Sequence, residues 1–122
     1  MDIAGAIAAF SAKNPAARVS AKEEKDGLSV GVTGSLELQV SYELQNLLAL
    51  IVERMEPGRR LAIDLGEVSY ISSTGVGALT NTLVAAHKRN IEVVFRRVPP
   101  KVSSILELLG LSSFFAMEEE DA

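Results

Sequence analysis

The chain has 122 residues, 48% of them hydrophobic and 23% charged, with a formal net charge of −4. That length suits one domain around one core. Cysteine is absent, which excludes disulfides and thiolate metal sites, and the single histidine, His87, is too few for a histidine-rich metal centre. The negative balance argues against a general nucleic-acid or anionic-membrane surface. No apolar run is long enough for membrane insertion, and Asp2 directly after Met1 does not suit a signal peptide, so a cytoplasmic protein without cofactor is expected.

In chain order, Ile3, Ile7 and Phe10 form one apolar stripe of a short helix that stops near Asn14-Pro15. Val19 to Lys22 reads as a strand, Lys25-Asp26-Gly27 as a hairpin turn, and Leu28 to Val32 as a second strand ended by Gly34. Leu44, Leu47, Leu48, Ile51, Val52 and Met55 repeat at helical spacing until Pro57-Gly58. Leu61 to Leu65 is a short apolar run, as in a strand buried on both faces. Ser72-Ser73-Thr74-Gly75-Val76-Gly77 opens another helix, with Val76, Leu79, Leu83 and Ala86 inward and Asn90 as terminator. Ile91 to Phe95 is a further strand. Val102, Ile105, Leu106 and Leu109 then mark a last helix ended by Gly110, and Glu118 to Asp121 make an acidic, solvated tail.

The order (α)-β-β-α-β-α-β-α predicts an α/β fold with parallel strand pairs and helices packed on the sheet. The expected divisions are an N-terminal helical extension over 1–14, a domain over 17–116 and the tail over 117–122. The extension is expected to pack on its own domain, covering a sheet edge; self-association into a homodimer is the alternative.

Read by itself, the Ser72–Gly77 segment is a helix start. Hydroxyls of Ser72, Ser73 or Thr74 can cap the first N–H groups, and Gly75 and Gly77 allow a backbone or phosphate to approach. A plain capping turn is the bland reading. A dinucleotide loop or P-loop is not spelled, because the third glycine of the former and the Gly-Lys-Ser/Thr of the latter are missing. A triad of Ser73, His87 and Asp64 has no nucleophile elbow. Glu23, Glu24 and Asp26 are expected to face solvent around the hairpin. Lys88, Arg89, Arg96, Arg97 and Lys101 form a modest basic cluster for an acidic partner or for solvent, and Phe114-Phe115 is expected to pack the last helix.

Three segments together carry a resemblance. Asp64-Leu65, Val68, Tyr70-Ile71 and Ser72-Ser73-Thr74-Gly75-Val76-Gly77-Ala78-Leu79 look like the central signature of STAS domains. Gly34-Ser35-Leu36-Glu37 is similar to the family's "GELD" turn. Pro100, Val102, Ile105-Leu106-Glu107-Leu108 and Leu109-Gly110-Leu111, with Phe114-Phe115, look like its closing segment. The resemblance implies a curved mixed β-sheet carrying helices. It further implies the function of an anti-sigma-factor antagonist, which binds a serine-kinase-type anti-sigma factor when unphosphorylated and is restored by a cognate phosphatase. It places the phosphoacceptor on Ser73, with Glu37, Ser72, Thr74 and Gly75 in the partner-binding surface, and implies no enzyme activity. The aspartate usual before the phosphoacceptor is Ser72 here. A constitutive interaction or scaffold subunit of the same family, as in stressosome-like or lipid-transporter assemblies, is the second implication.

Overall fold

The computed structural model describes residues 2–110 and the backbone of 117–118. The elements run α1 (Ile3–Lys13), β1 (Ala17–Glu24), β2 (Gly27–Leu36), α2 (Leu38–Arg54), β3 (Arg60–Ile71), α3 (Ser73–Lys88), β4 (Glu92–Arg96), α4 (Pro100–Leu108) and β5 (Met117–Glu118). The sheet order is β1-β2-β3-β4-β5, with β1–β2 antiparallel and every other pair parallel. This is the mixed α/β architecture the element order predicts; the two-residue β5 is an addition at the far edge.

The sheet has two chemically different faces because side chains alternate along each strand. Val30 and Val32 of β2, Leu61, Ile63 and Leu65 of β3, and Val93 and Phe95 of β4 join one core cluster with Leu44, Leu48, Ile51, Val76 and Leu79 of α2 and α3. The alternate positions are mostly small or polar, among them Ser20, Ser29, Gly31, Ala62 and Asp64, with Val94 beside Ala62 as an apolar exception. Across this second face Arg96 reaches from β4 to β1, donating from Nη1 and Nη2 to Glu24 at 3.0 and 3.1 Å. By register, the line between them passes over Ala62 and Ser29, whose small side chains leave room for it.

Several boundaries differ from the sequence reading. β2 does not end at Gly34 but passes through it to Leu36. Gly34 sits at φ +109°, and a Cβ there would meet the Ala16 carbonyl, so glycine is what lets the strand continue past the start of β1. β3 likewise runs beyond Leu65 to Ile71, because Gly34, Ser35 and Leu36 pair with Val68, Tyr70 and Ile71 after two register shifts. These pairs join residues far apart in sequence, and local periodicity does not display them. Leu109, expected inward, is 54% exposed, since α4 ends at Leu108 and buries only Val102 and Leu106. Glu118, expected in a solvated tail, has its backbone in β5 opposite Arg96. Phe114-Phe115 and 119–122 lie outside the described residues.

α1 lies against α2 and β1. Ala6 and Phe10 are buried, with Ile3 and Ile7 half-buried beside them. The Asn14 side chain fixes the helix end, donating to the Phe10 carbonyl at 2.9 Å and to Glu43 Oε2 on α2 at 2.7 Å. The amides of Asn14 and Gln39 hold the Glu43 carboxyl below its usual range.

Candidate functional site

The parallel strands β2 and β3 end side by side, and each turns at once into a helix. Leu36 leads through Glu37 into α2, and Ile71 leads through Ser72 into α3. The two junctions are tied together: the Leu36 carbonyl accepts the Ser72 N–H at 2.9 Å and the Ser41 hydroxyl at 3.1 Å. Glu37, Ser72, Ser73 and Thr74, separated by more than thirty residues of chain, therefore come to one end of the domain.

Each side chain there has a distinct place. Ser72 is the N-cap of α3, its Oγ accepting the Gly75 N–H at 3.1 Å. The cap position thus belongs to Ser72, which leaves the next hydroxyl unused. Ser73 is the first residue of α3 and is exposed; among the described residues nothing hydrogen bonds its hydroxyl. Thr74 is half-buried. Gly75, expected in the recognition surface, is instead buried, and a Cβ there would lie 2.6 Å from Ile71 Cγ1 and 3.1 Å from Ser41 Oγ. The missing side chain lets α3 sit close against Ile71 and Ser41 of α2. Gly77 is the open glycine, with nothing within 4 Å of its notional Cβ.

Glu37 occupies the N-cap of α2 without capping it; among the described residues its side chain makes one long contact, accepting from Ser35 Oγ at 3.5 Å. The carboxylate is exposed beside the α3 start. Two large apolar side chains near these residues in sequence are exposed: Leu38, at 57% exposure, opens α2 directly after Glu37, and Tyr70, at 52%, stands two residues before Ser72. Large apolar side chains so exposed next to a polar rim are what protein-binding surfaces present. Sequence periodicity did not single out Leu38 or Tyr70. It also missed Ser41, a fully buried hydroxyl that the signal of a polar residue three before Leu44 in the α2 stripe could have raised.

Other candidates are not assembled here. His87 lies fourteen residues further along α3 than Ser73, about 21 Å at 1.5 Å per residue, so the triad does not form. Asp64 is engaged by Arg97 Nε at 3.0 Å. Of the basic cluster, Arg89, Arg96 and Arg97 are engaged by the domain's own groups, while Lys88 and Lys101 are exposed. Arg89 donates to the Val52 and Met55 carbonyls at 3.1 and 2.8 Å, closing the C-terminus of α2. Arg96 holds Glu24 and Arg97 holds Asp64, so these cations do not make one patch for an acidic partner. Glu24, expected to face solvent, is that bidentate partner, and the Arg96 guanidinium keeps its carboxyl below the usual glutamate range. Among the described residues no group of three or more acidic or histidine side chains is placed to hold a metal ion, and no helix is long and apolar enough to cross a membrane.

The family model described as "Mlab, STAS domain" matches residues 18–117. The chain belongs to the STAS-domain family. The anti-sigma-B factor antagonist of Listeria monocytogenes serovar 1/2a is 27% identical over 97 residues, which is 80% of this chain and 83% of that protein. That of Staphylococcus aureus is 29% identical over 90 residues, 74% of this chain and 82% of its own. Among solved structures, an anti-sigma factor antagonist from Mycobacterium paratuberculosis has a TM-score of 0.69 at 22% identity, covering 83% of this chain and 84% of its own. The unphosphorylated form of the anti-sigma factor antagonist SpoIIAA also gives 0.69, at 11% identity over 84% of this chain and 88% of its own. At those identities the two structures show that the fold is shared.

Proposed function

We infer that this STAS domain is an anti-sigma-factor-antagonist-type switch: it binds an anti-sigma factor of the serine-kinase type while Ser73 is unmodified and releases it when Ser73 is phosphorylated, and a cognate phosphatase resets it. The observation that carries this reading is the exposed, unengaged Ser73 hydroxyl at the first turn of α3, with Ser72 taking the cap beneath it. The relatives named anti-sigma-B factor antagonists support the general function. Regulatory binding of a protein, rather than catalysis, is the activity proposed.

The physics of the switch follows from the site. A phosphate on Ser73 adds about −1.5 to −2 charges at neutral pH. At a helix N-terminus that charge is favourable to the helix, so the domain stays folded. The same charge stands at the junction that also exposes Glu37, Leu38 and Tyr70, so a partner packed there faces an uncompensated dianion. The free-energy change therefore falls on association, which is what a binding switch requires.

The second reading, a constitutive STAS interaction or scaffold subunit, is favoured by one observation. Ser72 occupies the position of the family's usual aspartate and is engaged in capping α3. Intact mass with site mapping, on protein taken from its native cells under growth and under stress, separates the two. A phosphate on Ser73 whose occupancy changes with condition is the expected result; an unmodified mass throughout assigns the protein to the constitutive class.

A further inference from the structure

β1 is the edge strand of the sheet, and among the described residues no strand lies beyond it. The two-residue turn Lys25-Asp26 is flanked by the pair Glu24 and Gly27, and the pair flanking such a turn is hydrogen bonded. Counting back by alternation, Arg18, Ser20, Lys22 and Glu24 direct their backbone groups to β2, while Ala17, Val19, Ala21 and Glu23 direct theirs outward. The Ala17 N–H agrees with this, donating to the Asn14 carbonyl outside the sheet at 3.0 Å. No further backbone partner outside the sheet is found among the described residues for Val19, Ala21 or Glu23. Ala6 and Phe10 of α1 join the same buried cluster as Ala17 and Val19, and the C-terminal end of α1 meets the edge only at its start, through the Asn14 carbonyl on the Ala17 N–H. A groove of about 540 Å³ runs beside the strand, lined by Ser11, Asn14, Ala17, Val19 and Ser20 among others.

Charges on an edge strand usually prevent pairing. Here they are arranged to permit one pairing. We propose that two copies of the chain join antiparallel through β1, about a two-fold axis at Ala21, into one continuous sheet. In that register Ala21 faces Ala21, Val19 faces Glu23, Ser20 faces Lys22 and Arg18 faces Glu24 of the second copy. The outward groups of Val19, Ala21 and Glu23 then form three exchanging pairs, about six hydrogen bonds. Arg18 and Glu24, with side chains on the same sheet face, meet as opposite charges twice by symmetry. Shifting the axis by one residue sets Arg18 against Lys22, or Lys22 against Lys22, so the charge pattern selects this register. The groove beside Val19 receives the Glu23 end of the second copy's strand. This surface lies on the sheet edge, apart from the Ser73 junction, and does not depend on the proposed switch.

Sedimentation equilibrium on the full chain tests it. The mass is expected to rise with concentration to twice the 13.0 kDa of one chain. Ala21→Pro removes an outward N–H that β2 does not use, and is expected to stay at the single-chain mass with an unchanged far-ultraviolet circular dichroism spectrum. Should that variant unfold, Arg18→Glu replaces it: the new carboxylate would face Glu24, and the dimer is expected to be lost. In the cysteine-free chain, Ala21→Cys is expected to give a disulfide-linked dimer on mild oxidation, since the paired Cα atoms would stand about 5.5 Å apart, within disulfide reach, whereas Ser20→Cys is expected to form no such cross-link. A wild-type mass of one chain up to millimolar concentration, or a dimer that persists in folded Ala21→Pro or in Arg18→Glu, overturns the proposal.

Discussion

The two strand-to-helix junctions at the end of this domain are built alike and finished differently. At the α3 start, Ser72 caps the helix and Gly75 fits it against Ile71 and Ser41, so the backbone is fully specified while the Ser73 hydroxyl stands free. At the α2 start, Glu37 sits at the cap without capping, and its carboxylate projects beside Leu38. One junction spends Ser72 on a cap and exposes the next hydroxyl; its neighbour exposes an uncapping carboxylate and the Leu38 side chain. The contrast teaches that function here sits on side chains the fold does not consume.

The largest effect expected from this contrast separates the two glycines of α3. Gly75→Val places branched carbon within reach of Ile71 and Ser41 and is expected to lower unfolding free energy by about 1–3 kcal/mol, read by urea denaturation. Gly77→Ala enters open space within a helix and is expected to stabilise by up to about 1 kcal/mol. Equal losses at both would mean that the close seating of α3 is not specific to Gly75.

Next come the caps. Ser72→Ala removes the acceptor of the Gly75 N–H and is expected to cost about 1 kcal/mol, whereas Glu37→Ala, which breaks no capping bond, is expected to stay within about 0.5 kcal/mol. A midpoint loss at Glu37→Ala as large as at Ser72→Ala would erase the distinction between the junctions.

The smallest effect concerns the Arg96 bond across the opposite sheet face. Because the guanidinium holds the folded Glu24 carboxyl below its ordinary value of 4.5, the bond contributes stability above that pH. The contribution is lost as pH falls through the lowered folded value. With Glu24 a third exposed, the term is expected below about 1 kcal/mol. Stability curves of wild type and Glu24→Gln should therefore converge on acidification and separate near neutrality.

Much of this was legible in the sequence because the signals are local. The α2 stripe, the Lys25-Asp26 turn and the element order follow from periodicity and turn chemistry. The Ser72–Gly77 segment announced a helix start, and the structure adds which hydroxyl caps and which remains exposed. Long-range pairing was not legible. That β2 continues through Gly34 depends on partners more than thirty residues away. Arg89 closing α2 and Arg96 crossing to Glu24 depend on tertiary reach, so a run of cations in sequence read as a patch that the fold divides. Composition allows a backbone or a phosphate to approach at both Gly75 and Gly77, and does not tell the glycine packed on a neighbour from the one left open.

The central claim is that charge at Ser73 changes binding and leaves the fold intact. Calorimetric titration of the cognate anti-sigma factor with wild type and Ser73→Asp, each with its thermal midpoint, tests this most directly. Wild type is expected to bind tightly, Ser73→Asp to lose at least a hundredfold in affinity (about 2.7 kcal/mol), and the thermal midpoints to agree. Equal affinity for the two proteins would contradict it.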